Sequence, residues 1–285
     1  MEQKNLRELW DVELDLLDRF KRICEKYGLS WFAGDGTLLG AARHRGFIPW
    51  DDDIDLYVPW EDYKKLLALA PGECRYPYFF QSFLNEKDGE ASACRLRRSD
   101  TTGFTRWEEE NVGAEYDRGI FIDVFPLFYL PAAEEEREIQ KEAVRFFWKC
   151  MRGQTAFSQL ERSGVCNPAY KPYLPYYESV RASMSAVDIK WAYLNACAYP
   201  CGRTGELGLT SYRVHQANQL WDAELFDSWT ELPFENTTVR CPARYEAVLE
   251  KEYGDWRTPV KNASCHEMAA FDTKRPWREY LAAEK

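Results

Sequence analysis

The chain has 285 residues, 45% hydrophobic and 15% aromatic, which supports a substantial buried core and excludes disorder over most of its length. Its 37 basic and 47 acidic residues leave a formal charge of −10. That balance argues against a nucleic-acid or general polyanion binder, while still allowing a small phosphorylated ligand held by local arginines or a cation. No window approaches the ~20 apolar residues of a membrane-spanning helix, so no transmembrane segment is expected. The opening MEQKNLRELWDVELDLLDRF has no apolar h-region, and the nine scattered cysteines read as reduced thiols. A cytoplasmic location is expected, with the inner face of the membrane as an alternative.

In chain order, Leu6, Leu9, Trp10, Leu14, Leu17, Phe20, Cys24 and Tyr27 form one apolar stripe, predicting an amphipathic helix that ends at Gly28. SWFA follows as a short buried strand running into Gly34. TLLGAAR (37–43) reads as a short helix starting after Gly36, and DDIDLYV as an alternating strand ended by Pro59. WEDYKKLLALA is helical up to Pro71-Gly72. SACRLRRSDTTGF is a further extended region, and GIFIDVFPLFYL is a near-continuous apolar run suited to a central strand. AAEEEREIQKEAVRFFWKCMRG reads as a charged-then-apolar helix, and 153–215 as mostly helical text without repeats. ELPFENTTVRCP predicts a hairpin with Asn236 near its turn, and ARYEAVLEKEYGDWRTP a helix ending at Gly254. Asn236 and Asn262 lie in N-x-Ser/Thr triplets, which without an export signal read as chance. The expected organisation is a core of 1–131, a mostly helical insertion or lobe at 132–215, and a segment of 216–285 returning to the core.

The stretch GTLLGAARHRGFIPWDDDIDLYVP sets four aspartates within five positions. Two carboxylates about 4 Å apart repel by roughly 1 kcal/mol in water and by several times that near a protein surface. Strand phase places Ile54, Leu56 and Val58 on one face and Asp51, Asp53 and Asp55 on the other, leaving Asp52 to cap or to pair with Arg43 or Arg45. An acidic edge neutralised by arginines is one reading; a bound cation is the other, and the phase favours it. Oxygen ligands without histidine or cysteine in phase point to Mg²⁺ or Mn²⁺. Upstream, strand, Gly34-Asp35-Gly36 turn and helix at Thr37 would aim free backbone N–H groups at a phosphate, although a plain strand-to-helix turn has the same text. Asp123, alone in an apolar strand, would carry a penalty of several kcal/mol that a shared cation removes; local hydrogen bonds are the alternative. Arg95 and Arg97 share a strand face and are candidates for phosphate or for salt bridges. His44 is a candidate base or a solvated loop histidine.

These residues resemble the LicD family of phosphotransferases, which includes bacterial phosphocholine transferases and fukutin-type ribitol-phosphate transferases. The resemblance rests on GTLLGAARHRGFIPWDDDIDLYVP followed by EDYKKL, on RGIFIDVFPL, and on LPFENTTVRCPARYEAVLEKEYGDW. It covers roughly residues 6–130 and 220–260. It implies an α+β fold with a nucleotidyltransferase-like short mixed β-sheet flanked by helices. It also implies Gly36 and Thr37 in the phosphate turn, Asp53 and Asp55 as metal ligands preceded by Asp51, and Asp123 as a third carboxylate. Tyr253-Gly254-Asp255 matches a late motif without an assigned role, and His266 a histidine near the family's C-terminus. The implied reaction moves a phospho-alcohol group, phosphocholine foremost, from a CDP-linked donor to a hydroxyl of a glycan or lipid-linked glycan acceptor. The competing readings are transfer of NMP from an NTP to a small acceptor, and a relative that binds without turnover.

Overall fold

A computed structural model describes residues 3–86, 88–89, 91–162, 174–209, 219–260 and 268–283. The chain divides into two compact units, 1–127 with 221–285, and 128–220.

The first unit opens with α1 (Gln3–Tyr27), closed by Gly28 in the left-handed region at φ 62°, where a residue without Cβ is unstrained. β1 (Phe32–Ala33) leads into α2 (Asp35–His44), which begins two residues earlier than the apolar pattern predicts. β2 (Asp55–Pro59) is shorter than expected: residues 51–54 lie before it, outside regular structure. α3 (Trp60–Glu73) continues through Pro71 into Glu73, although proline has no N–H to offer the carbonyl four residues earlier. The extended region after residue 92 is two strands rather than one: β3 (Tyr78–Gln81) precedes β4 (Cys94–Arg98), and β5 (Thr102–Thr105) follows a turn. α4 (Arg106–Asn111) starts at a capping box in which Thr105 and Glu108 exchange hydrogen bonds. β6 (Ile120–Tyr129) is the apolar run, and its last two residues belong to the second unit.

The sheet is mixed, in the order β1-β2-β6-β4-β3. β2 and β6 are parallel, and the other neighbours are antiparallel. Ile54, Leu56, Val58, Leu96, Ile122 and Val124 are completely enclosed, as are Leu9, Leu16 and Leu17 of α1 and Leu66 of α3. Central strands of this kind lose the half-solvated character that strict alternation assumes: Tyr57, opposite in phase to Leu56, is also buried.

The second unit holds α5 (Glu134–Arg162), α6 (Leu174–Ser183), α7 (Ala186–Ala198) and β7 (Glu206–Leu209). Cys150, Tyr177 and Ile189 form a small core with Phe146 packed on it. The chain then returns through β8 (Leu220–Asp222), a 3-10 helix at Ala223–Phe226, and the hairpin β9 (Trp229–Phe234) and β10 (Thr237–Pro242). That hairpin turns at Glu235-Asn236 as the sequence predicts. α8 (Tyr245–Tyr253) ends at Gly254, φ 65°, and β11 (Met268–Asp272), paired with β5, precedes α9 (Trp277–Ala283). None of the described cysteines is in a disulfide, and no helix among the described residues is long and apolar enough to cross a membrane. Asn262 and His266 lie outside the described residues.

Candidate active site

The glycine turn is built by close approach. A Cβ on Gly34 would lie 2.2 Å from a ring carbon of Tyr57, and one on Gly36 would lie 2.5 Å from Oδ2 of Asp51. Gly34 donates its N–H to the Asp55 carbonyl at 3.0 Å, and Asp35, at φ 37°, donates its N–H to the Tyr57 hydroxyl at 3.2 Å. Thr37, almost fully buried, accepts the Asp55 N–H at Oγ1, 2.9 Å away. The turn is thereby tied to the first residue of β2. The carboxylate that packs beside Gly36, at the positive end of α2, is that of Asp51.

Residues 51–53 curl at the end of the Pro49-Trp50 corner rather than alternating along a strand. Asp51 donates its N–H to the Ile48 carbonyl, and its own carbonyl accepts the indole N–H of Trp10 at 3.0 Å. As a result Asp52, expected out of phase, joins its neighbours: oxygens of Asp51, Asp52 and Asp53 lie within 4.8 Å of one another. Asp52 Oδ2 accepts the Met268 N–H at 3.0 Å, a partner from β11. Asp55 opens β2 in register with Asp123 on β6, and Asp123 is in register with Arg95 on β4. Two carboxylates and a guanidinium therefore form one row across three strands. Burial, then the charge of Asp52, pushes the Asp51 carboxyl up to about 6. Burial and the surrounding aspartates drive Asp53 and Asp55 well above the usual carboxylate range. Hard oxygen donors gathered at this density, with protonation favoured for want of positive charge, fit a divalent cation.

The neighbouring arginines are committed elsewhere. Arg97 is fully enclosed and bonds Glu108, Gln81 and the Gly119 carbonyl. Arg95 donates from Nε to Asp123 Oδ1 and from NH1 to Glu108 Oε1, both at 2.6 Å. Both guanidiniums also lie against the Phe121 ring, at 4.1 and 4.5 Å from its centroid. Burial alone would raise Glu108, yet Arg97 and Arg95 outweigh it and hold the carboxyl below its ordinary range. The shared face expected for Arg95 and Arg97 is present, turned inward onto Glu108.

Asp53, Asp55, Asp123, Gly34, Gly36, Thr37 and Asp51 thus belong to one neighbourhood. Arg43 and His44 do not: nine residues of helix carry His44 about 13 Å along the axis from the turn. Arg43 donates to the Trp256 carbonyl at 2.7 Å and, from Nε, to His44 Nδ1 at 3.4 Å. Burial and the Arg43 charge lower the His44 pKa. Two acidic residues escaped the sequence reading. Glu108 was recognisable from the Thr-x-x-Glu capping pattern. Glu13 was recognisable because it falls on the Leu9–Phe20 side of the α1 stripe, a core position for a carboxylate. It is fully buried and pushed well up by burial and by Asp53, Asp52 and Asp51.

Residues 28–129 match the family described as LicD/FKTN/FKRP, nucleotidyltransferase domain. This segment matches a LicD-family domain. Within LicD-related proteins, the lipopolysaccharide cholinephosphotransferase LicD of Haemophilus influenzae is 38% identical over 109 residues, 36% of this chain and 41% of that protein. The human ribitol 5-phosphate transferase FKRP is 34% identical over 79 residues, 28% of this chain and 16% of its own length. The matches thus span less than half the length of these curated relatives. The LicD segment contains the glycine turn, all the clustered aspartates and Asp123; α1, with Glu13, precedes it.

Proposed function

We propose that the protein is a LicD-type phosphotransferase that moves a phospho-alcohol group from a CDP-linked donor to a hydroxyl of a cell-surface glycan or glycolipid precursor, releasing CMP. Phosphocholine is the group favoured, with a lipopolysaccharide-type acceptor, following the name of the Haemophilus relative. The observation that carries the reading is the Asp55–Asp123 row beside the Asp51–Asp53 cluster, tied through Thr37 to a glycine turn inside the LicD segment.

Asp53 and Asp55 are the residues that would hold Mg²⁺ or Mn²⁺. Such an ion, when bound, neutralises the diphosphate and stabilises the leaving CMP. Gly34 and Gly36 allow a diphosphate to approach the backbone at the start of α2. Asp123 has Oδ1 fixed by Arg95, leaving Oδ2 as a ligand or as acceptor of the attacking hydroxyl's proton. Held rigidly by that ion pair, it positions the acceptor oxygen for in-line attack. Arg95 and Arg97 serve this reading by fixing Asp123 and Glu108 rather than by touching phosphate.

Incubation with Mg²⁺ and CDP-choline, CDP-ribitol or NTPs, followed by mass spectrometry, tests the assignment. CMP and a phospho-alcohol-modified acceptor are expected. Pyrophosphate release from an NTP would replace this reading with nucleotidyl transfer, and binding without product would replace it with a non-catalytic role.

A further inference from the structure

The edge of the sheet carries a second concentration of charge, opposite in sign to the aspartates. Beside α1, the end of α3 and the start of β3, a surface groove of about 490 Å³ is lined by Arg19, Lys26, Glu73, Arg75, Tyr76 and Tyr78. Three cations thus face one carboxylate, in a chain whose formal charge is −10. Glu73 does not balance them, because its Oε1 already takes Lys26 Nζ at 2.7 Å and the Tyr27 hydroxyl at 2.5 Å. Among the described residues, neither Arg19 nor Arg75 is in a salt bridge.

Arg19 is held in place by neutral groups. It donates from NH2 to the Glu73 carbonyl at the C-terminal end of α3, and its guanidinium lies 5.5 Å from the centroid of the Tyr78 ring. The Tyr78 hydroxyl donates to Asp15 at 2.9 Å, which fixes that ring. Yet Arg19 Nε is buried with no hydrogen-bond partner among the described residues. A donor in that position carries an uncompensated desolvation cost, and an acceptor arriving in the groove removes it. Arg75 stands exposed on the rim beside Tyr76, which is 75% exposed. A phosphate suits this lining: its oxygens accept from a positioned guanidinium and from two further cations. The groove is separate from the glycine turn. Tyr78 pairs with Arg98, three residues along from the Gln81–Arg95–Asp123 row, which at ordinary strand spacings sets its Cα roughly 14 Å from that of Asp123.

We infer that this groove is an anion site, in which Arg19, Arg75 and Lys26 hold a phosphate monoester carried on a sugar or on a lipid headgroup. The phosphotransfer reading uses none of these residues, so the site stands or falls independently of it. Arg19 and Lys26 come from α1, outside the segment of the family match, and Arg75 from within it.

The test is calorimetric titration of the full chain with glucose 6-phosphate, together with flotation on phosphatidylcholine vesicles with and without phosphatidic acid. The variants are Arg19→Gln, Arg75→Glu and Arg278→Glu, the last making the same charge change at an exposed ion pair on α9. The wild type should bind the sugar phosphate, the phosphatidic-acid vesicles or both. Arg19→Gln and Arg75→Glu should each weaken that binding at least tenfold, and Arg278→Glu less than twofold. Binding of the soluble ester alone identifies a sugar phosphate as the source, and binding of the vesicles alone a lipid headgroup; either supports the site. Failure of the wild type to bind any of these probes would overturn it. So would equal losses in Arg75→Glu and Arg278→Glu, which would reduce the effect to overall charge. Arg75 is exposed, so Arg75→Glu decides the question even if Arg19→Gln fails to fold.

Discussion

Two acidic centres, Glu108 in α4 and the aspartates around the start of β2, are treated in opposite ways. Glu108 is fully enclosed, but two guanidiniums and the Thr105 backbone N–H satisfy it, and its carboxyl is held low. Asp51, Asp53 and Asp55 are also largely withdrawn from water, but with other aspartates' charge close by. Their carboxyls are pushed up. Burial with unequal compensation separates an internal brace from a cluster that the proposed cation would neutralise. Asp123 stands at the junction, paired with Arg95 on one side and aligned with Asp55 on the other.

That contrast can be broken deliberately. The largest effect is expected for Asp53→Asn and Asp55→Asn: transfer, followed by CMP release, should fall by more than about 1,000-fold while melting temperature in EDTA stays level or rises. Activity near wild type would remove them from the chemistry. Glu108→Ala should do the reverse in kind, lowering stability by about 3–5 kcal/mol in urea titrations because Arg97 is left buried without its acid. An unchanged midpoint would show that the brace is dispensable. Asp123→Asn should lower kcat by about 100-fold with the fold intact; unchanged turnover would confine it to the ion pair with Arg95.

The smallest effect concerns pH, and its sign differs between the two centres. Asp51 rises from 3.8 to about 6, so the native state keeps a proton that the unfolded chain releases. Stability without metal should therefore fall as pH rises from about 4 to about 6, by about 3 kcal/mol at most. Asp51→Asn should flatten that limb of an EDTA urea series, and Mg²⁺ should oppose it. Glu108, held low, contributes stability that is complete above its unfolded value near 4.5 and is lost as pH falls through its lower folded value.

How legible this was in the sequence follows from range of interaction. The α1 stripe, Gly28, the glycine turn and the β9–β10 hairpin are local patterns, and they appear where periodicity and turn chemistry put them. The row Asp55–Asp123 was anticipated in part, because an isolated aspartate in an apolar strand needs a reason. What failed was the assumption that alternation continues through Asp51–Asp53. The Pro49-Trp50 corner and the Trp10 bond bend that segment, and neither force has a period. Arg97 could not be assigned from text, since Glu108, Gln81 and Gly119, its partners, lie 11, 16 and 22 residues away. The placement of Glu13 depends on contacts across the whole unit.

The bond from the Asp55 N–H to the Thr37 hydroxyl has a consequence for timing. It pins the entrance of α2 to the entrance of β2, so the two halves of the site cannot drift independently. An anion at the turn and a cation among the aspartates would meet at a spacing fixed before either arrives. A Thr37→Ser exchange keeps that ruler, whereas Thr37→Val discards it without removing a single charge.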